Sequence, residues 1–529
     1  MIACKMLAGA AVALLLLPAI AAAQPILRLD SGEIRGAEKG AVDEFLGIPY
    51  AQAPVGPLRW RDPAPVKTWQ GVRDATKAPP ACYQGPPGGF GPFTSEFLIQ
   101  GPVAEDCLYL NVWKPHEVNG KLPVFFYIHG GGFGSGSNSI PVYDGSGLAS
   151  KGAIVVTINY RLGVFGFLAH PELTRESALH SSGNYGLLDM IEALKWVRAN
   201  IAKFGGDPGD VTIAGQSAGA AAVNDLVVSP LAKGLFQRAV AQSGSGMGIH
   251  MPSLAEAETT GTRLAEKLGV RSLAELRAVS AEALQQASDT PPPAPGPGAK
   301  PSLPTIAFAP NLDAVVVAGD PDDPAAPVAS KVPFLTGFNT DEGILFGNAA
   351  MTPADFISLV HERYGTFADR LLALYPHATD EDAQASYKLL ARDRYMASLV
   401  LWAQRRTAAS GQSVYAYMYD HPYPASGGQD FGAFHTAEVP YVMGALGKGG
   451  RVFTDRDRAV SNALQAHWLA FMKKGDPSIP GVPWPHVVTG SPMVMGIGDT
   501  TDPRLGVSTE ERFTVFKDYV LAGGKLSLL

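Results

Sequence analysis

Residues 211–219 read Val-Thr-Ile-Ala-Gly-Gln-Ser-Ala-Gly, a β-branched run that breaks into Gly215-Gln216-Ser217-Ala218-Gly219. This is the pattern of a strand that turns sharply into a helix and leaves one serine exposed at the turn. It limits the fold more than any other segment, because it demands a strand that turns directly into a helix. A serine hydroxyl is a weak nucleophile unless the fold also offers a base and a pocket of N–H donors. With 59 glycines in 529 residues, the five-residue pattern alone is expected by chance roughly 0.4 times. Its meaning depends on the supporting parts.

The flanking sequence suits such a sheet. Leu122 to His129 and Ala153 to Tyr160 are near-continuous apolar runs, as expected of strands buried on both faces. Between them and the serine, Leu188, Ile191, Leu194, Trp196, Val197 and Ile201 fall at helical spacing, and Gly205-Gly206-Asp207-Pro208 stops that helix. An Ala-rich helix to Val228 follows the serine. Alternating strands and helices predict an α/β fold with a mostly parallel sheet and right-handed crossovers. Residues 253–290 read as helical and 291–301 as a Pro/Gly-rich surface loop. Strand-like sequence returns at Val332 to Gly337 and Val414 to Tyr419. The expected organisation is one catalytic domain over 24–529 with a helical insertion at about 250–310.

The N-terminus reads as a targeting segment. Lys5, the apolar stretch Leu7 to Ile20 and Ala21-Ala22-Ala23 have the layout of a signal peptide over 1–23, cleaved near Ala23. The expectation is export, to periplasm or medium, with no membrane span after cleavage. Of three cysteines, Cys4 leaves with that segment, and the remaining Cys82 and Cys107 point to one disulfide. Closing that loop stabilises by roughly 3 kcal/mol in the chain-entropy view. Without His or Cys neighbours, the two cysteines do not read as a metal site. A net charge of −7 carries no nucleic-acid footprint.

Serine chemistry on this fold needs three further parts. One is a donor loop after an earlier strand, and His129-Gly130-Gly131-Gly132-Phe133 follows the Leu122 run. Consecutive glycines let backbone N–H groups crowd a developing oxyanion, with Gly131, Gly132 and Ala218 as the expected donors. The second is an acid beyond a later strand. Phe338-Asn339-Thr340-Asp341-Glu342-Gly343 offers two, and spacing does not choose between Asp341 and Glu342. The third is a histidine after the acid, for which His361, His377, His421, His435, His467 and His486 all qualify.

The chain carries further motifs in a fixed order: Phe45-Leu46-Gly47-Ile48-Pro49-Tyr50-Ala51, Glu105-Asp106-Cys107-Leu108-Tyr109-Leu110-Asn111-Val112, Asn159-Tyr160-Arg161-Leu162-Gly163, Gly183-Asn184-Tyr185-Gly186-Leu187-Leu188-Asp189 and Phe204-Gly205-Gly206-Asp207-Pro208. With the HGGGF loop and GQSAG, these resemble the type-B carboxylesterases, the group that includes cholinesterases and bacterial para-nitrobenzyl-type esterases. The resemblance spans nearly the whole length after residue 24. It implies an α/β-hydrolase fold and a Ser217–His435–Glu342 triad, with Glu342 from Asn-x-Asp-Glu-Gly and His435 from Gly-x-x-His-x-x-Glu. It also implies a Cys82–Cys107 disulfide, a supporting role for Ser243 near the acid, and structural ion pairs Arg59–Glu105 and Arg161–Asp189.

What the resemblance implies is hydrolysis of small carboxylic esters through an acyl-enzyme, with no metal or cofactor. Two departures stand out. Gln216 occupies a place where that family most often has Glu, and is expected to take no part in proton transfer. Phe97 falls where cholinesterases hold a Trp, which argues against a choline-ester specialist because a Phe face holds cations less well. Phe90, Phe93, Phe97 and Phe133 are candidates to line the approach to the serine. The competing class is a non-enzymatic binding module, and it is disfavoured by the presence of serine, acid, histidine and glycine loop together.

Overall fold

Apolar runs without polar alternation need cover on both faces, and here they form the middle of one large sheet. The computed structural model describes residues 24–526 apart from 87, 249, 290–306, 324–325 and 344–350. The expected signal peptide and the Pro/Gly-rich loop at 291–301 lie outside the described residues. Among the described residues, eleven strands make up the sheet. They are β1 (Ala37–Lys39), β2 (Val42–Pro49), β3 (Tyr109–Pro115), β4 (Leu122–Ile128), β5 (Ile154–Ile158), β6 (Gly206–Gln216), β7 (Arg238–Gln242), β8 (Phe334–Asn339), β9 (Val414–Tyr419), β10 (Met493–Ile497) and β11 (Thr501–Leu505).

Their spatial order is β11-β10-β9-β8-β7-β6-β4-β5-β3-β2-β1. From β5 across to β10 every pairing is parallel, and the outer pairings on both edges are antiparallel. The strand period of two sorts the side chains of β4: Phe126 and Ile128 enter one apolar layer, Phe125 and Tyr127 the other. Each such buried ring contributes about 2 kcal/mol through area removed from water.

Helices close both layers. On one face, α1 (Tyr185–Asn200) and α2 (Ala218–Val228) bury Leu194, Val197, Val223 and Leu226. On the other, α7 (Asp455–Lys474) buries Trp468 and Phe471. Three helices occupy the stretch read as an insertion: α3 (Leu254–Lys267), α4 (Leu273–Ala278) and α5 (Ala281–Asp289). Helix α6 (Asp380–Ser410) runs for 31 residues, started by a Thr379/Asp382 capping box and ended by Gly411 in the left-handed region. The parallel strands β4, β6, β7 and β8 end on one edge, where register aligns Gln216 with Gln242 and Gln242 with Gly337. The loops leaving that edge gather the candidate site, as open α/β sheets do at the carboxyl ends of their strands.

Candidate active site

Ser217 sits between β6 and α2 with φ 59° and ψ −123°. A non-glycine residue held there costs roughly 1–3 kcal/mol, which only a well-packed surround sustains. The glycines on either side explain the packing. A Cβ on Gly215 would fall 2.3 Å from the Gly219 carbonyl oxygen, and one on Gly219 would fall 2.1 Å from that of Ile128. Helix α2 therefore abuts the ends of β6 and β4 backbone to backbone. The Ser217 N–H donates to the Gln242 carbonyl at 2.9 Å, and the side chain is partly exposed.

The glycine loop lies against this turn. A Cβ on Gly130 would come 2.7 Å from the Gln216 carbonyl oxygen and 3.0 Å from Ser217 Cβ. Gly131 and Gly132 have φ 109° and 62°, conformations that L side chains rarely adopt. His129 underpins the loop: its Nδ1 lies 2.8 Å from the Gly130 carbonyl and its ring stacks on Tyr160 at 4.5 Å. Burial pushes His129 down to about 4 against the Gly130 hydrogen bond, so it stays neutral in ordinary buffers.

At the end of β8 the two candidate acids separate in role. Asp341 Oδ2 accepts from the Ala433 N–H at 3.0 Å, while the Asp341 N–H donates to the Ala433 carbonyl at 3.1 Å. It ties down the loop that carries His435. Glu342 turns inward, 3% exposed, and its Oε2 lies 2.5 Å from His435 Nδ1. Glu342 Oε1 accepts from Ser243 Oγ at 2.5 Å and from the Asn339 N–H at 2.9 Å. Ser243, itself at φ 56°, thus lies against the Glu342 carboxylate.

His435 is buried beside Glu342. Burial alone would push the imidazole down, but the charge and hydrogen bond of Glu342, with Glu438 adding, carry it above its ordinary value. The other histidines do other work. His421 bonds Asp457 at 2.9 Å, His467 and His377 each bond a backbone carbonyl at 2.7 Å, and His361 and His486 lie at the surface.

Two further residues meet at this corner. Glu438 is fully buried three positions after His435 and accepts from Gln242 Nε2 at 3.0 Å and Asn339 Nδ2 at 2.7 Å. Burial pushes it up to about 7, opposed by Asn339 and helped by the Glu342 charge. Gln216, at the end of β6, places its Nε2 3.0 Å from His435 Nε2.

Of the four aromatics, Phe93 and Phe97 pack edge-on against Phe434 at 5.6 Å each, one residue before His435. Phe90 continues that row to the surface at 61% exposure, and Phe133 packs against Phe167 at 5.2 Å. Arg451, its side chain 4% exposed, pins this wall by bonding Glu96 at 2.7 Å and the Pro92 carbonyl at 2.6 Å. The Cys82–Cys107 disulfide is present, with Cα atoms 4.9 Å apart. Arg59 clasps Glu105 through two bonds of 2.7 and 2.5 Å, and Arg161 clasps Asp189 at 2.8 and 2.6 Å. Among the described residues, no helix is long and apolar enough to cross a membrane.

The sequence profile of the carboxylesterase family matches residues 23–514. The chain is similar to the fumonisin B1 esterase of Sphingopyxis macrogoltabida, 38% identical over 465 residues that cover 84% of this chain and 81% of that one. It is likewise similar to the para-nitrobenzyl esterase of Bacillus subtilis (strain 168), 36% identical over 481 residues covering 87% and 92%. A solved PNB esterase structure matches with a TM-score of 0.76 at 32% identity, covering 93% of this chain and 100% of that one. The fold is the α/β-hydrolase fold, a large sheet flanked by helices.

Proposed function

This chain belongs to the carboxylesterase family and is a carboxylic ester hydrolase, and we propose that its turnover runs through Ser217, His435 and Glu342. The observation that carries this reading is the 2.5 Å contact between Glu342 Oε2 and His435 Nδ1, beside the sharp turn that presents Ser217. With Nδ1 donating to the carboxylate, Nε2 of the neutral ring keeps its lone pair and serves as the base.

In the first half-reaction Ser217 Oγ attacks the ester carbonyl carbon while its proton passes to His435 Nε2. Glu342 holds the ring in that tautomer and stabilises the imidazolium. The negative charge moves onto the former carbonyl oxygen, which the N–H groups of Gly131, Gly132 and Ala218 receive; a donor of this kind contributes about 3 kcal/mol. Collapse expels the alcohol, protonated by His435, and leaves an acyl-serine. Water then repeats the sequence with His435 as base, releasing the carboxylic acid and restoring Ser217.

Ser243 and Asn339 orient Glu342 through its other oxygen. The Phe93–Phe97–Phe434 wall supplies an apolar flank beside the base, suited to small uncharged or weakly charged esters. The catalytic domain extends over 24–529, with helices α3 to α5 as the insertion on it. The protein is exported after cleavage near Ala23, a reading supported by the Lys5/Leu7–Ile20/Ala21–Ala23 layout and by the Cys82–Cys107 bond. The test is the pre-steady-state release of nitrophenol from a short acyl nitrophenyl ester. A burst stoichiometric with enzyme, abolished in Ser217→Ala, is expected; steady turnover retained by well-folded Ser217→Ala overturns the assignment.

A further inference from the structure

From the contact between its carboxamide and the imidazole, we infer that Gln216 is a positioning residue for the base: it caps His435 Nε2 in the resting enzyme and keeps the ring less basic than a carboxylate there would. The inference rests on the Ser217–His435–Glu342 reading above.

The bonding pattern leaves one consistent assignment of protons. His435 Nδ1 faces a carboxylate at 2.5 Å and must donate. Nε2 of the neutral ring is then an acceptor, and the atom 3.0 Å away is the amide nitrogen of Gln216, which only donates. The amide oxygen points to the other side, toward Gly130, where a Cβ would come within 3.0 Å of it. Gln216 is 2% exposed and anchored on a strand, so the contact is not a surface side chain wandering past.

Two consequences follow for the proton path. The lone pair that takes the Ser217 proton is the one the amide occupies, so Gln216 gives up or shares this bond when Ser217 attacks. Once Nε2 carries a proton, an amide N–H faces an imidazolium N–H, which disfavours the charged ring and favours prompt delivery of the proton to the departing alcohol. A carboxylate at position 216 would do the reverse, pairing with the imidazolium and holding its proton.

The charged and titratable groups facing this corner come from each neighbouring element. Glu342 follows β8 and bonds the ring, and Glu438 lies on the histidine's own segment. Tyr417 of β9 and Tyr395 of α6 face Glu342, with burial holding both phenols protonated. His129 at the end of β4 is held neutral by burial. None of these changes identity in a substitution at 216, so a shift in the acid limb reports on the new side chain.

The test is the pH profile of kcat/KM on a short acyl nitrophenyl ester for the full chain, Gln216→Glu and Gln216→Met. In Gln216→Glu the new carboxyl and His435 share one proton, and the acid limb moves up by about one pH unit or more. Gln216→Met removes the donor without adding charge, and its limb moves up by less. Acid limbs that coincide with the parent's in both variants overturn the inference, and the Met variant decides alone if the Glu variant does not fold. Ser217→Ala is run alongside. If it retains turnover, the Ser217 reading fails; if it is inactive while the limbs coincide, only the role of Gln216 fails.

Discussion

Replacing Glu342 by glutamine changes two atoms' chemistry and leaves the side chain's shape, yet the surroundings dictate which way the new amide faces. Glu342 Oε1 receives two donors, the Asn339 N–H at 2.9 Å and Ser243 Oγ at 2.5 Å. The backbone N–H cannot become an acceptor, so in Glu342→Gln the amide oxygen takes the Oε1 place. The new NH2 group is then left where Oε2 was, 2.5 Å from His435 Nδ1. A donor there demands that Nδ1 accept, which moves the ring's proton to Nε2 and removes the lone pair that Ser217 needs. The loss of charge adds to this, because the imidazolium formed during attack no longer has a counter-ion. A tautomer reversal of this kind costs about 10⁴-fold in kcat, or about 5 kcal/mol of transition-state stabilisation. Glu342→Asp keeps the charge but falls short by one methylene, and a loss of about 10²-fold is expected from misplacement alone. Steady-state kinetics on a nitrophenyl ester, with thermal unfolding to establish that each variant is folded, measures both. Folded Glu342→Gln within about tenfold of the parent would rule out this role for Glu342.

Three further outcomes are expected. Gly219→Ala forces a methyl to within 2.1 Å of the Ile128 carbonyl oxygen, and chemical denaturation is expected to register a loss of at least ~2 kcal/mol. The Cys82→Ala/Cys107→Ala pair loses about 3 kcal/mol by the same measurement, from a loop with a sequence separation of 25. His435 lies above its ordinary value, so kcat/KM falls on the acid side as the ring takes a proton, with a midpoint above about 6.5. The same raised value stabilises the fold fully below about 6.5 and loses that contribution as pH rises through the folded value; the stability gap between the parent and His435→Gln should therefore narrow with rising pH.

The scaffold is legible in the sequence because its signals are local. The unbroken apolar runs of β4 and β5, and the Gly215–Gly219 turn, each encode their conformation within a few residues. The site is legible only in part, because its members meet across long stretches of chain. Spacing does not separate Asp341 from Glu342, since adjacent acids diverge only once the strand end turns one outward to Ala433 and the other inward to His435. Six histidines look alike until family motifs choose among them. The placements of Gln216 and Glu438 stay hidden, for they depend on ring orientation and burial rather than on residue type. The Arg451–Glu96 staple, 355 residues apart, has no sequence signal at all.

Turnover as proposed passes the ester's acyl group through one serine oxygen. Mixing the protein with a chromogenic phosphonate ester, quenching, and mapping the adduct by peptide mass spectrometry locates that oxygen. One phosphonyl group per chain, located on Ser217 and absent from His435→Gln, is the predicted result. A stoichiometric adduct on any other residue, or full turnover of carboxylic esters with Ser217 left unmodified, would contradict it.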